Sequence, residues 1–425
     1  MAEAFLRYLG CVDLQNLGVI GASTPGWLDN HSLLASMKLD CIALARTRTL
    51  VIAGLSGMAG SSDPTPATNF ITVPTSEAED KVTAIQWLVW GGWSVLAVGM
   101  NSGVLLTFSP SGSLLTKQNF NAGPILQLRL RSGRKIYSSE DASEELTVVL
   151  GRSLVRLDGL DLQSQLRRRL LETEKYRGRA LSRRVQSESQ ETEADFGRLS
   201  YQIWNISKSS SSSACADAAI TGLMSPTLFE QQTSQRYFCA VTVGTDSAMT
   251  AFRLSEDKSN SLREILFSKV VPATVSTLSS LAKTFWRTEH TPPTRPVDIK
   301  PQDFGRASLI TTLKDPPRRG ERLAVSPSGS LAAITDSLGR VLLLDVRALV
   351  VVRLWKGYRD AYCMFLEAPL DGNTGLPLSG KATQEMQHSV KKNFCLCLAI
   401  HAPRRGVVEV SHLLEIRALT YMPTF

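Results

Sequence analysis

The sequence predicts an all-β fold, a β-propeller of about seven blades with room for an incomplete last one, interrupted by two helical or disordered insertions. Three observations predict it. The stretch 321–358 divides into four short apolar runs (323–325, 331–335, 341–346 and 350–355) separated by turn residues. Four strands with tight reversals in some forty residues match a propeller blade, whose repeat is ~40–45 residues. The pattern also recurs. Leu96 to Leu106 and Cys239 to Phe252 repeat the strand, turn, strand rhythm, and Ser109-Pro-Ser-Gly112 duplicates the turn Ser326-Pro-Ser-Gly329. Weaker copies lie at 42–53, 146–157 and 396–410. Finally, with insertions at 159–235 and 255–318 set aside, the rest of the 425 residues suffices for about seven blades at ~42 each. One such sheet has two apolar faces and must stack on neighbours to bury them.

Taken in order, residues 1–37 carry apolar runs at 5–9 and 14–20 that suit an outer strand closing the ring. Trp87, Trp90 and Trp93 recur at three-residue spacing, but Gly91-Gly92 breaks any helix there, so strand, turn, strand is expected. The first insertion opens with helix formers over 161–185, with Leu162, Leu166 and Leu170 on one stripe, and passes into an acidic segment and the serine tract 207–213, whose composition predicts disorder. The second insertion places Val271, Val275, Leu278, Phe285 and Trp286 along a helix over 268–286, with Pro272 in the first turn, where proline is tolerated. Three readings stay open for this helix: packing on the propeller, docking into a partner's groove, or lying in a membrane interface as a peripheral adaptor. The propeller domain is placed at 1–410 and a divergent tail at 411–425.

Charge and cysteines narrow the function. The net charge is +8, but much of the surplus sits in one segment, Arg167, Arg168, Arg169, Lys175, Arg177, Arg179, Arg183 and Arg184. A solvated helix face explains that cluster better than a nucleic-acid site, so no nucleic-acid partner is expected. The seven cysteines are odd in number and scattered, which suits a reduced cytoplasmic setting over a disulfide framework. Cys395 and Cys397 alternate on one strand and should share a face. The histidines stand at no recognised zinc-ligand spacing from that pair, so spacing alone gives no zinc site. The N-terminus lacks the features of a secretory signal, and no run approaches the ~18–20 apolar residues of a membrane span.

Catalytic motifs fail on inspection. Gly375-Leu-Pro-Leu-Ser-Gly-Lys-Ala382 approaches a phosphate loop, but Ala382 stands where a magnesium-binding hydroxyl belongs and Pro377 removes a cradling N–H. No Gly-x-Ser-x-Gly elbow occurs. No catalytic, cofactor-binding or metal-binding residue is therefore assigned. Arg318-Arg319 and Arg404-Arg405, each beside glycine and proline, read as exposed turns that serve either solubility or the anchoring of a partner's carboxylates.

Several blocks carry a family likeness: Gly112-Ser-Leu-Leu-Thr-Lys-Gln, Pro124-Ile-Leu-Gln-Leu-Arg-Leu, Arg319-Gly-Glu-Arg-Leu-Ala-Val-Ser-Pro, Leu331-Ala-Ala-Ile-Thr-Asp, Leu354-Trp-Lys-Gly-Tyr-Arg-Asp-Ala and His401-Ala-Pro-Arg-Arg-Gly-Val-Val-Glu-Val. In order and spacing they resemble the N-terminal region of the non-catalytic, regulatory subunit of the Rab-three GTPase-activating protein complex. The resemblance implies a scaffold without catalytic residues, bound to a catalytic subunit that supplies the arginine for GTP hydrolysis on a Rab-family small GTPase. It also implies nucleotide exchange by the complex toward Rab-eighteen, and a cytoplasmic protein peripheral to the endoplasmic reticulum. Trp355, Lys356, Tyr358, Arg359 and Asp360 join the arginine pairs as partner-binding candidates on these grounds. After Val410 the sequence departs from the family's pattern, which is expected to leave the last blade incomplete.

Overall fold

The computed structural model describes residues 17, 33–38, 41–54, 68–75, 79–90, 92–131, 145–182, 199–206, 215–224, 236–258, 304–369 and 394–413. Strand follows strand in antiparallel hairpins, as alternating apolar runs with glycine turns dictate. Blade one holds β1 (Leu33–Lys38), β2 (Cys41–Arg46), β3 (Thr49–Gly54) and β4 (Thr68–Thr72). Blade two holds β5 (Val82–Trp90), β6 (Trp93–Met100), β7 (Val104–Phe108) and β8 (Leu114–Asn119). Blade three follows with β9 (Ile125–Arg131), β10 (Glu145–Leu150), β11 (Ser153–Leu157) and β12 (Gln202–Asn205). Blade four has β13 (Cys215–Leu223), β14 (Tyr237–Gly244), β15 (Met249–Lys258) and β16 (Gly305–Leu313). Blade five has β17 (Gly320–Val325), β18 (Leu331–Asp336), β19 (Arg340–Asp345) and β20 (Val350–Lys356). Blade six has three described strands, β21 (Tyr362–Pro369), β22 (Phe394–Ala402) and β23 (Val407–His412).

The core lies between blades, as a propeller requires. One apolar cluster joins blades one and two around Trp87 and Phe108. Others join two with three, three with four around Trp204 and Phe238, four with five, and five with six. The first strands of successive blades meet in chain order, β1 with β5, β5 with β9, β9 with β13, β13 with β17 and β17 with β21. A single parallel bridge, Trp204 to Gly305, ties the outer strands of blades three and four into one hydrogen-bonded sheet. Among the described residues no core cluster joins blade six to blade one. The face of blade six turned away from blade five shows Met364, Leu366, Val408 and Val410 to solvent.

The fold is a propeller, and six blades are described where the sequence suggested about seven. The insertions are narrower than the sequence suggested, because β12 and β13 fall inside 159–235 and β16 falls inside 255–318. Trp87 to Trp93 form strand, turn, strand, with Trp90 paired to Trp93 and their ring centroids 4.7 Å apart. The expected first helix is α1 (Gly159–Ser182). Asp158 caps it by accepting the Leu160 amide at 3.0 Å, and Leu162 and Leu166 bury against blades two and three. Residues 268–286, with Val271, Val275, Leu278, Phe285 and Trp286, lie outside the described residues, as do 375–382. No described helix is long and apolar enough to cross a membrane.

Candidate functional site

In a four-stranded blade, the turn between second and third strands and the link from the fourth strand to the next blade emerge on the same face of the ring. That topology gathers residues remote in sequence. The link before β17 (314–319), the β18–β19 turn (337–339), the β20–β21 link (357–361) and the β22–β23 turn (403–406) all open on one face. Every partner-binding candidate read from the sequence lies at or beside these four loops.

Asp336 is the anchor of this face. Its side chain is buried, and Oδ1 accepts the amides of Leu338 (3.1 Å) and Arg340 (2.8 Å) while Oδ2 accepts Arg340 Nε at 2.7 Å. Arg318 Nε sits 3.5 Å from the same oxygen and adds charge without a hydrogen bond. Arg340 Nη2 also donates to Asp315 at 2.5 Å, which holds the Asp315 carboxyl below the usual carboxylate range. Arg319 is tied by its backbone alone: its amide donates to Ser337 Oγ, and its carbonyl accepts the Ser337 amide at 2.9 Å.

The second half of the site is the β20–β21 link. Gly357 (φ +87°) and Asp360 (φ +58°) both take left-handed backbone and turn the chain sharply. The turn swings Tyr358 inward. Its amide donates to Gly339 O at 2.8 Å, and its phenol donates to Glu409 Oε2 at 2.5 Å. That bond, with burial second, raises the phenol above its ordinary value. Arg405 lies 5.1 Å over the Tyr358 ring and pairs with Glu409 at 3.2 Å, while Arg404 pairs with Asp360 at 2.5 Å. Trp355 packs half-buried into the core between blades five and six, with Arg353 over its ring.

The structure therefore joins Tyr358, Asp360, Arg404 and Arg405 into one linked group, with Arg318 a turn away. Arg319, Lys356 and Arg359 are exposed, and among the described residues none has a carboxylate within ion-pair distance. Arg359 is positioned by shape, since its stem packs over Gly339, where any Cβ would meet Arg359 Cγ at 2.7 Å. The cations named here outnumber the carboxylates, so this face is positive. It can bind an acidic surface, and among the described residues no nucleophile, base and oxyanion donor converge on it.

Sequence reasoning missed the residues that hold the arginines: Asp315, Asp336, Arg340 and Glu409. An aspartate four residues before an arginine across a glycine turn was the available signal for one pair. It also missed His412, which the β22–β23 register places directly opposite Cys397, one turn of chain after spacing alone had separated them. Burial pushes the Cys215 and Cys363 thiols each up to about 12, which makes them poor nucleophiles at neutral pH.

Residues 27–419 match the family described as Rab3 GTPase-activating protein regulatory subunit N-terminus. That span runs past Val410, where the sequence was expected to diverge. Among solved structures, the WD40 β-propeller domain of Doa1 is 10% identical, with a TM-score of 0.40, over 89% of this chain and 81% of that one. BBS1N, solved in complex with ARL6DN and soaked with mercury, is 11% identical, with a TM-score of 0.38, over 88% of this chain and 75% of that one.

Proposed function

The chain belongs to the family of Rab3 GTPase-activating protein regulatory subunits, of which it carries the N-terminal region, and from that premise we propose that the Arg318–Arg405 face docks the complex's catalytic subunit. A regulatory subunit in such a complex works by position. The ring holds its loops rigidly, and the catalytic subunit brings the group that stabilises charge during GTP hydrolysis on a Rab. The nucleotide-exchange role toward a second Rab, and attachment to the endoplasmic reticulum surface, belong to the same proposal.

One observation carries it: Arg319, Lys356 and Arg359 are exposed cations with no ion-pair partner among the described residues, on a face whose other arginines are already fixed by Asp315, Asp336, Asp360 and Glu409. Fixed arginines shape the surface, and the free cations have charge left for a partner's carboxylates. Such complementarity raises the association rate and weakens with salt.

The test is the affinity of the purified chain for the purified catalytic subunit. Replacing Arg319, Lys356 and Arg359 together by Glu should weaken binding about tenfold or more and slow Rab GTP hydrolysis by the assembled complex, with the melting temperature unchanged. The double change Arg167→Glu and Arg168→Glu on α1 should leave binding as it was. Wild-type chain that does not bind, or a triple variant that binds like the α1 control, refutes the assignment of this face.

A further inference from the structure

Cys395 and Cys397 stand two apart on β22, so alternation puts both sulfurs on one face. His412 ends β23, and the antiparallel register sets it opposite Cys397. The ligand atoms of all three lie within 4.8 Å of one another. The two sulfurs are 3.9 Å apart, and Cys395 Sγ lies 3.1 Å from His412 Nδ1. Among the described residues no other three histidine, cysteine or acidic side chains converge in this way.

From this convergence we propose that Cys395, Cys397 and His412 bind one zinc ion. Tetrahedral zinc, with Zn–S near 2.3 Å and Zn–N near 2.0–2.1 Å, sets two sulfurs about 3.8 Å apart and sulfur to imidazole nitrogen about 3.5 Å. The sulfurs already stand at that spacing. The imidazole has to withdraw by a few tenths of an ångström, and His412 is exposed at the end of its strand, so it is free to do so. Two thiolates and an imidazole form a soft set that suits zinc and disfavours the oxygen-seeking calcium and magnesium. Cys395 and Cys397 are buried, so the metal enters from the histidine side, where water completes the fourth position. Binding converts both thiols to thiolates and releases their two protons to solvent. The ion cross-links β23 to β22. It thereby secures the outermost described strand of blade six, whose Val408 and Val410 no other described strand covers.

Cobalt(II) is the probe, titrated into the purified full chain kept reduced and metal-free. One equivalent should bind, giving thiolate-to-cobalt charge transfer in the near ultraviolet and the intense visible bands of a tetrahedral site, and zinc should displace it. Cys397→Ser and His412→Ala should each weaken binding about tenfold or more. Cys363→Ser should leave it unchanged, because Cys363 pairs with Ile400 on the other face of the sheet. His412 is exposed, so its variant keeps the fold whatever becomes of the buried cysteine variant. The proposal is overturned by a wild-type chain without the charge-transfer band, by weak six-coordinate bands, or by a His412→Ala chain with wild-type spectrum and affinity.

Discussion

Blade two and blade five carry the same Ser-Pro-Ser-Gly turn, at Ser109–Gly112 between β7 and β8 and at Ser326–Gly329 between β17 and β18. Both turns open on the face of the ring away from the arginines. In each, the serine hydroxyl accepts an amide beyond the turn at 3.0 Å, from Ser113 or Leu331. In each, the glycine amide closes onto the serine carbonyl, at 2.9 and 2.8 Å. The opposite faces differ. In blade two a buried Asp80 is consumed by its own surroundings, accepting the Lys81 amide and both the amide and hydroxyl of Ser102. In blade five a buried acid on the same face, Asp336 at the end of β18, holds Arg340 and lies 3.5 Å from Arg318. One face thus repeats a turn that serves the chain's own backbone, while on the other face the buried acids hold different partners.

The largest expected effect separates the two blades by how they are held in the ring. Blade two rests mainly on apolar clusters with its neighbours. Blade five is also held by Asp217, whose Oδ2 pairs with Arg129 at 2.6 Å and accepts the Leu323 amide at 2.9 Å, while Oδ1 accepts the Ala218 amide at 2.8 Å. One carboxylate thus links β9, β13 and β17. Asp217→Ala leaves Arg129 without its acid and the Leu323 amide without an acceptor, and should cost about 3 kcal/mol. In blade two, Thr83→Val removes a hydroxyl that donates to Ile125 O at 2.6 Å and should cost about 1 kcal/mol. Urea midpoints at constant slope read the difference. Equal losses would mean that blade five has no special dependence on its buried acid.

The twin turns give a sharper contrast. Gly112 and Gly329 both have left-handed backbone, at φ +90° and +71°, so alanine at either costs about 1–3 kcal/mol. Their neighbours differ. A Cβ on Gly329 would stand 1.9 Å from the backbone oxygen of Thr221, whereas on Gly112 it would meet the mobile end of Ile71 at 2.8 Å. Gly329→Ala should therefore lower the melting temperature more than Gly112→Ala, because a backbone carbonyl in the neighbouring blade cannot step aside. The same drop in both would show that the clash is relieved by a shift of the whole turn.

Blade five was legible because its four apolar runs and turn residues agree with one another. The runs at 323–325, 331–335, 341–346 and 350–355 match β17 to β20 within a few residues at each end. β16 was hidden because Gly305–Leu313 shows no clean alternation, half-exposed almost throughout, and is held in place by pairing with β15 across a long excursion. β12 was hidden for a similar reason: it is four residues long and follows α1. At the candidate site, Arg318, Tyr358 and Arg404 could be picked out by turn composition and by family likeness. Their acids could not, because Asp315 and Glu409 reach Arg340 and Tyr358 only through the packing of separate strands.

The smallest expected effect asks whether the linkage on the arginine face is active in solution. Tyr358 donates to Glu409, and that bond, ahead of burial, raises the phenol above its ordinary value. A raised phenol means that the folded chain holds the proton more tightly than the unfolded one. The stabilisation is then fully present below the unfolded value of about 10 and is lost as pH rises through the higher folded value. Tyr358→Phe should cost about 1 kcal/mol at neutral pH, and the gap between wild type and variant should close as the pH is raised past 10. Blade two has no such phenol on its corresponding loops, so Thr83→Val should keep its deficit across the same range. A Tyr358→Phe deficit that stays constant to high pH would assign the loss to packing beneath Arg405, and the hydrogen bond to Glu409 would then contribute nothing to the stability of this face.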